Sequence, residues 1–354
     1  MDAVLKQFAG TIRAATDGKK PLRLCGGGTK DFYGQALAGE MLDTRAYTGI
    51  VAYEPTELVI TARCGTPLAE VEAVVREKGQ YLAFEPPHFG AGATAGGMVA
   101  AGLSGPRRFA VGAVRDFVLG VRMLDGRGDD VTFGGQVMKN VAGYDVSRVI
   151  AGSLGTLGLI LEVSLKTLPV PVAEATLKLE MPEDRAIETL NHWGGKPLPL
   201  SASAWTEGEL CVRLSGAASA VRQAREKIGG ELFDVAKARA FWAGIREQTD
   251  PFFRPDRPLW RLSVPSVTPP LGLPGELQIE WGGALRWLVS NADPRTVREA
   301  AAKAGGHATL FRATDKSPGV FAPLQPALAK IHRNLKQAFD PAGIFNRGRM
   351  YPDF

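Results

Sequence analysis

Of the 42 glycines in this 354-residue chain, 26 lie within the first 158 residues. They gather in three clusters: CGGGTKDFYG (25–34), HFGAGATAGGMVAAGLSGPRR (88–108) and AGSLGTLGLI (151–160). Glycine weakens a folded domain unless the backbone must reach positive φ or lie close to another group. Three such clusters, separated by strand-like segments, imply a long ligand laid against main-chain amides. A dinucleotide, FAD above all, has that length.

The rest of the composition sets bounds. With 45% hydrophobic and 22% charged residues, the chain reads as an ordinary globular protein large enough for two domains. A net charge of +5 comes without a basic run or an aromatic-interleaved basic stripe, so no nucleic acid is expected. The first fifteen residues lack the basic start and apolar run of a signal peptide. Val4, Leu5, Phe8 and Ile12 instead recur at helical spacing. No stretch reaches the roughly 20 apolar residues that span a bilayer. Cys25, Cys64 and Cys211 are odd in number and far apart, which points to a reducing compartment and to no zinc or iron–sulfur site. A cytoplasmic address follows, with any membrane association arising through partners.

Composition changes along the chain. All six tryptophans lie between Trp193 and Trp287, and five of the six tyrosines precede residue 145. Pro169 and Pro171 follow a strand in which Leu159, Leu161, Val163 and Leu165 alternate with Ile160, Glu162, Ser164 and Lys166. This divides the chain into a domain over 1–170, a second over 171–322, and a terminal segment over 323–354.

The first domain alternates strands and helices. Strands are expected at LRLCG, LVITARCG and QYLAFE, with a hairpin of FVLGVRMLD and DVTF around Gly126-Arg127-Gly128. A helix is expected over 67–78, with Thr66 as N-cap, Pro67 in its first position and Gly79 after its last turn. The second domain reads as an α+β cap on an antiparallel sheet. Its strands are ATLKLEM, ELCVRLSG, LWRLSV, LRWLVS and ATLF, and its helices are marked by Ile187, Leu190 and Trp193, by Ala217, Val221, Ala224 and Ile228, and over 294–304. A last helix covers 324–339.

Chemistry concentrates in the glycine loops. A pyrophosphate needs consecutive amides aimed at one point, without bulky side chains in the way. CGGGTK leaves a strand and adds the Thr29 hydroxyl and the Lys30 cation; the alternative is a turn whose glycines serve backbone angles alone. Gly90, Gly92 and Ala95 fit G-x-G-x-x-A, but Pro86 and Pro87 intervene before the glycines, and Gly102, Gly105 and Pro106 interrupt any helix after them. A Rossmann fingerprint therefore fails, and an extended glycine-lined strip along a flat ligand is the better reading. No GK[ST] follows a suitable spacing for a P-loop.

The order CGGGTKDFYG, ATAGGMVAAGLSGPRRFAVGAVRDFVLGV, KNVAGYDVSRVIAGSLGTLGLILEVSLKTLP, then FDPAGIFNRGRMYP resembles the FAD-binding domain of the vanillyl-alcohol oxidase and PCMH superfamily. KNVAGYD together with EPPHFG is most similar to the branch formed by the GlcE-type FAD-binding subunits of bacterial glycolate oxidases. The resemblance implies a fold of class α+β: a PCMH-type FAD-binding domain of two α+β subdomains, an α+β cap, and a C-terminal segment returning to the FAD domain. It also assigns cofactor-binding roles. Cys25, Gly26, Gly27, Gly28, Thr29 and Lys30 hold the pyrophosphate, and Pro87, Thr94, Gly96 and Gly97 line it and the ribityl chain. Gly102, Ser104 and Gly105 approach the isoalloxazine, Gly155, Gly158 and Ile160 contact the adenine end, and Asn346 sits near the flavin ring. Arg347 replaces the proline of the family pattern DP-x-G-(I/L)-(L/F)-NPG(K/R). Thr29 stands where covalently flavinylated relatives carry histidine, which implies noncovalent FAD.

No catalytic residue is assigned. The histidine-rich cap segment of stand-alone 2-hydroxy-acid dehydrogenases in this superfamily is missing, because His88, His192, His307 and His332 form no cluster in sequence. His88 adjoins the ligand strip. His332 shares a helix face with Leu328 and Leu335 and reads as packing. Arg107, Arg108, Arg115 and Lys139 could balance flavin charge or bind a carboxylate, and Lys139-Asn140 and Tyr144-Asp145 lie inside the matched motif. The resemblance implies a subunit of a complex that oxidises glycolate or another small 2-hydroxy acid, with a larger FAD-containing subunit and an iron–sulfur subunit as partners. The tryptophan-containing cap is then a candidate docking surface, with core packing as the alternative. A stand-alone dehydrogenase and a noncatalytic FAD-binding assembly subunit remain open.

Overall fold

The computed structural model describes residues 2–135, 145–253 and 256–353. The chain forms two compact units. Met1–Leu103, Ala113–Pro169 and Pro323–Phe354 make the first; Ser104–Gly112 and Val170–Ala322 make the second.

The first unit opens with helix α1 (Asp2–Gly18), which buries Phe8 and Ile12 as their spacing requires. Strand β1 (Leu22–Cys25) runs parallel to β2 (Glu40–Asp43). There follow β3 (Ile50–Glu54), β4 (Val59–Arg63), α2 (Leu68–Glu77), β5 (Gln80–Tyr81) and α3 (Ala95–Ala101). Beyond α4 (Arg108–Val111), which belongs to the second unit, come α5 (Val114–Phe117), β6 (Val118–Leu124), β7 (Asp130–Gly134), α6 (Val146–Ile150), β8 (Leu159–Lys166) and β9 (Leu168–Pro169). An antiparallel sheet of order β3-β4-β8-β6-β7 forms the core. Leu161, Val163 and Leu165 of central β8 are fully buried on one face, while Ile160 and Ser164 are also buried on the other. Helix α3 packs on β4 and β8.

Three local expectations change. Pro67 occupies the cap position of α2, whose cap makes no side-chain hydrogen bond. The Thr66 hydroxyl is engaged instead with Gly49, accepting from its amide at 2.9 Å and donating to its carbonyl at 3.1 Å. QYLAFE forms strand only over Gln80–Tyr81; Leu82, Ala83 and Phe84 are buried outside it, and Glu85 turns at φ +50°. Finally, the second glycine cluster is not one extended strip. Thr94 caps α3 by accepting from the Gly97 amide, and Gly102 ends it at φ +67°. The Thr hydroxyl and terminal Gly together stabilise a helix too short to show a period.

The second unit is built on an eight-stranded sheet. In chain order it contains β10 (Ala173–Glu180), α7 (Glu183–Gly194), β11 (Leu200–Thr206), β12 (Glu209–Gly216), α8 (Ala218–Ile228), β13 (Glu231–Leu232) and α9 (Val235–Glu247). These are followed by β14 (Leu259–Ser263), β15 (Glu276–Glu280), β16 (Leu285–Val289), α10 (Pro294–Lys303) and β17 (His307–Arg312). The sheet order is β13-β10-β12-β11-β15-β16-β14-β17, and the pairs are antiparallel. One cluster joins Ile187 and Leu190 of α7 and Val221 of α8 to Leu177, Val212 and Ile279. Another joins Val297 and Ala301 of α10 to Trp260, Leu262 and Leu288. By strand register, Arg213, Gln278, Glu280, Arg261 and Thr309 share the opposite, polar face. Trp205, Trp242, Trp260, Trp281 and Trp287 are all buried, so they are interior side chains and not a docking surface.

Helix α11 (Pro326–Phe339) leads back into the first unit. Lys336 is its one buried residue among those described, and Leu328 is exposed. The face that carries His332 is therefore not a packed core face; the His332 ring instead meets Tyr351 edge-on at 6.3 Å.

Candidate functional site

The loop leaving β1 is the centre of the first unit's site. Gly28 turns the chain at φ +70°. The amides of Gly26, Gly27, Gly28 and Thr29 donate to no group among the described residues. Four consecutive amides in a partly exposed glycine turn are complementary to phosphate oxygens. Lys30 adds its cation, donating to the His88 carbonyl at 3.1 Å and to the Thr29 hydroxyl at 3.3 Å. The donor set therefore fits a pyrophosphate.

The glycines have a second use that their sequence did not disclose. A Cβ on Gly27 would lie 1.5 Å from the Gly92 carbonyl oxygen, one on Gly96 2.6 Å from the Cys64 Cβ, and one on Gly102 2.6 Å from the Gly152 Cα. One on Gly155 would lie 2.7 Å from Asn346 Nδ2, and one on Gly158 2.7 Å from the Leu124 carbonyl. The three clusters are thus packed on their neighbours through glycine. The Gly96 amide donates to the Cys64 carbonyl and the Gly97 amide to Thr94 Oγ1, so these residues offer surface rather than donors.

Cys25, Gly26, Gly96, Gly97, Gly155, Gly158, Ile160 and Asn346 line one cavity of about 80 Å³, together with Leu24, Thr44, Cys64, Ala100, Leu154 and Leu159. Pro87, next to His88 in sequence, is buried. Ser104 and Gly105 belong to the second unit, where the Gly105 carbonyl accepts from the Trp281 indole. Lys139, Asn140 and Tyr144 lie outside the described residues. Asp145 caps α6, accepting from the Arg148 amide and the Ser147 hydroxyl.

The returning tail holds these loops in place. Asn346, at φ +40°, accepts from the Leu24 amide at 2.8 Å and donates to the Leu154 carbonyl at 2.6 Å. It thereby ties the first loop to the third. Two residues not picked out from the sequence matter as much. Buried Arg349 donates to the carbonyls of Asp31, Tyr33 and Gln35, fixing the chain just after the amide turn. Lys336 donates to Thr156, Asp340 and Phe345 at 2.7–2.9 Å, and burial lowers its pKa while Asp340 opposes the shift. The K/R position of the tail pattern and the i, i+4 spacing of Lys336 and Asp340 were the available signals.

No histidine cluster forms among the described residues. His88 Nε2 lies 3.0 Å from Glu72 Oε2, and no group of His, Cys, Asp or Glu suited to a metal occurs among the described residues.

The cysteines provide a test of the cavity. Burial, then Asp31, raises the Cys25 thiol pKa, whereas burial pushes Cys64 and Cys211 up to about 12. In native protein, alkylation is expected at Cys25 alone, slow at neutral pH and faster as pH rises toward the thiolate range. Added FAD should slow it. Peptide mass spectrometry showing Cys64 labelled first would contradict this geometry.

Residues 5–134 match the FAD binding domain family. A solved structure of alkyldihydroxyacetonephosphate synthase superposes with a TM-score of 0.67 at 15% identity, covering 96% of this chain and 74% of that one. Fold and site together define an FAD-binding flavoprotein of the PCMH type. The chain is 49% identical to glycolate oxidase subunit GlcE of Escherichia coli (strain K12) over 97% of its own length and 96% of the other's, and it belongs to that family. It is also 32% identical to glycolate oxidase subunit GlcD of Bacillus subtilis (strain 168), over 36% of this chain and 27% of that protein. No helix among the described residues is long and apolar enough to cross a membrane.

Proposed function

We propose that the chain is the FAD-binding subunit of a complex that oxidises glycolate, or a similar 2-hydroxy acid, to the 2-oxo acid. Identity of 49% to a glycolate oxidase subunit over 97% of this chain carries this reading, and the open amide turn at Gly26–Thr29 supports it chemically. FAD supplies the two-electron acceptor. The amides of Gly26 to Thr29 and the Lys30 cation would neutralise its pyrophosphate. Gly155, Gly158 and Ile160 would lie at the adenine end, with Asn346 stabilising the loops rather than reacting. Pro87, Thr94, Gly96, Gly97 and Gly102 would complete the cradle within the first unit. Thr29 offers a hydroxyl where flavinylated relatives carry histidine, so the cofactor is held noncovalently. Electrons would pass on through a larger FAD-containing subunit and an iron–sulfur subunit, since the three cysteines of this chain are fewer than the four that hold a common iron–sulfur cluster.

The His88–Glu72 pair favours one other reading, a stand-alone dehydrogenase. A histidine oriented by a carboxylate is a recurring general-base arrangement. One experiment separates the two. Anaerobic glycolate should bleach the flavin absorbance of the co-purified complex and leave the isolated chain yellow. Bleaching of the isolated chain would establish the stand-alone enzyme, and an unbleached complex would end the glycolate reading.

A further inference from the structure

We propose that the exposed apolar side of helix α11, with the hollow beside it, seats the larger FAD-containing subunit, which would present an apolar ridge flanked by carboxylates. The pattern of this helix and its burial do not coincide. In PALAKIHRNLKQAF, Leu328, Ile331 and Leu335 follow one another at i, i+3 and i+7, the spacing of a stripe that packs on a core. Yet Lys336 is the one residue of the helix that is buried among those described. At about 100° per residue, Leu328, Leu335 and Ile331 lie roughly 80°, 100° and 140° round the helix from it. Leu328 is 49% and Ile331 53% exposed. The helix is turned so that its cation reaches Thr156 and Phe345 while its apolar stripe meets solvent. Packing of the apolar face supplies most of the stability of a protein helix, so a stripe left outside marks a surface that another chain covers.

The surface beside the stripe is concave. A hollow of about 610 Å³ is lined by Val149 of α6, by His332 and Leu335 of α11, and by Arg115, Arg148 and Met350. Val149 is itself 42% exposed. Such a hollow accepts a protruding side chain or turn, which a flat lipid surface does not offer. Charge narrows the choice further. Arg148 is matched by Asp116 at 3.7 Å and Asp145 at 2.8 Å. Arg115 and Lys330 are exposed and have no ion pair among the described residues. The excess charge is positive, which favours carboxylates on the occupant and disfavours a second copy of this chain, whose cations would meet these. The chain belongs to a family of glycolate oxidase subunits, so a protein neighbour has to be seated somewhere. Lys336 joins the inner side of α11 to the third glycine cluster. An occupant of the outer side therefore stands about one helix diameter, roughly 10–12 Å, from a loop that would hold FAD. That place suits the subunit that carries the second flavin. Its identity rests on the function proposed above; the docking surface does not.

Co-expression of the full chain with its partner subunits tests this, with dissociation on dilution followed by mass photometry. L328E/I331E, and independently V149E on the other wall, should leave the isolated chain folded and able to bind FAD, because all three side chains already reach solvent. The double variant should weaken binding of the larger subunit at least about 100-fold, and V149E about tenfold. R115Q should weaken it up to about fivefold at low salt and less at high salt. Unchanged affinity in L328E/I331E and V149E would overturn the surface. So would loss of the iron–sulfur subunit alone, a homodimer of the isolated chain that L328E/I331E dissolves, or binding to phosphatidylglycerol vesicles that L328E/I331E abolishes. An L328E/I331E complex that assembles normally and is bleached by glycolate would leave the function standing without this surface. Capture of the larger subunit through these residues, in a complex inert to glycolate, would keep the surface and remove the function.

Discussion

Gly27→Ala is expected to abolish most FAD binding while changing a single methyl group. The new Cβ would sit 1.5 Å from the Gly92 carbonyl oxygen and 2.4 Å from its carbon. Both are main-chain atoms, so no side-chain rotation relieves the clash. The first two glycine loops would have to separate by roughly 2 Å to restore an ordinary van der Waals contact. Overpacking of this kind costs about 1–3 kcal/mol. At about 1.4 kcal/mol per factor of ten, FAD would be held up to roughly 100-fold less tightly. Gly28→Ala should be milder: its φ is +70°, but the nearest obstacle is the movable Asp31 carboxylate at 3.2 Å. Gly10→Ala, on α1 with nothing near its Cβ, should be neutral or stabilise by about 0.5–1 kcal/mol. Flavin fluorescence quenching measures the affinities and circular dichroism reports the fold. A Gly27→Ala protein with unchanged affinity would mean that the two loops do not meet in this way.

The second large effect is expected at Lys336. Replacing it with methionine would leave the Asp340 carboxylate, which is 0% exposed, without its cation. It would also remove the donor to the Thr156 and Phe345 carbonyls. Breaking one side of a buried ion pair costs about 3–5 kcal/mol, a large share of the roughly 5–15 kcal/mol that keeps a domain folded. Thr156 lies in the third glycine cluster and Phe345 precedes Asn346, so the tail should loosen and FAD should be lost with it. Urea denaturation and limited proteolysis of the C-terminus would show both effects. The K336M/D340L double variant should recover part of the stability, because no unpaired charge remains buried. A loss below about 1 kcal/mol in K336M would contradict the buried pair, since that is the range of an exposed one.

These two sites show where sequence reading reaches its limit. The alternation of β8, β10 and β12 was legible because period two is local and both residue types recur along each strand. Strands β2, β3, β11 and β15 were not: they are only four to seven residues long, and burial does not alternate cleanly along them. Helix α9 went unread for a related reason, since among its buried side chains are only Trp242 and Ile245, too few to mark a face. The glycine clusters were legible as a group, and the open amides of 26–29 suit the ligand role inferred for that loop. Their use against one another was not visible, because Gly27 and Gly92 lie in different clusters, far apart along the chain, and no local pattern couples them.

Patterned residues marked the three glycine-rich loops and a set of alternating strands, and their resemblance to a known family joined them with the C-terminal tail in one FAD-binding design. Tertiary structure decided which loop keeps its amides open, that residues 104–112 join the second unit, and that Arg349 and the Lys336–Asp340 pair hold the tail in place. The physical reason is that periodicity and turn chemistry act over a few residues. Close approach of backbones and burial of charge, by contrast, depend on which distant segments are brought side by side.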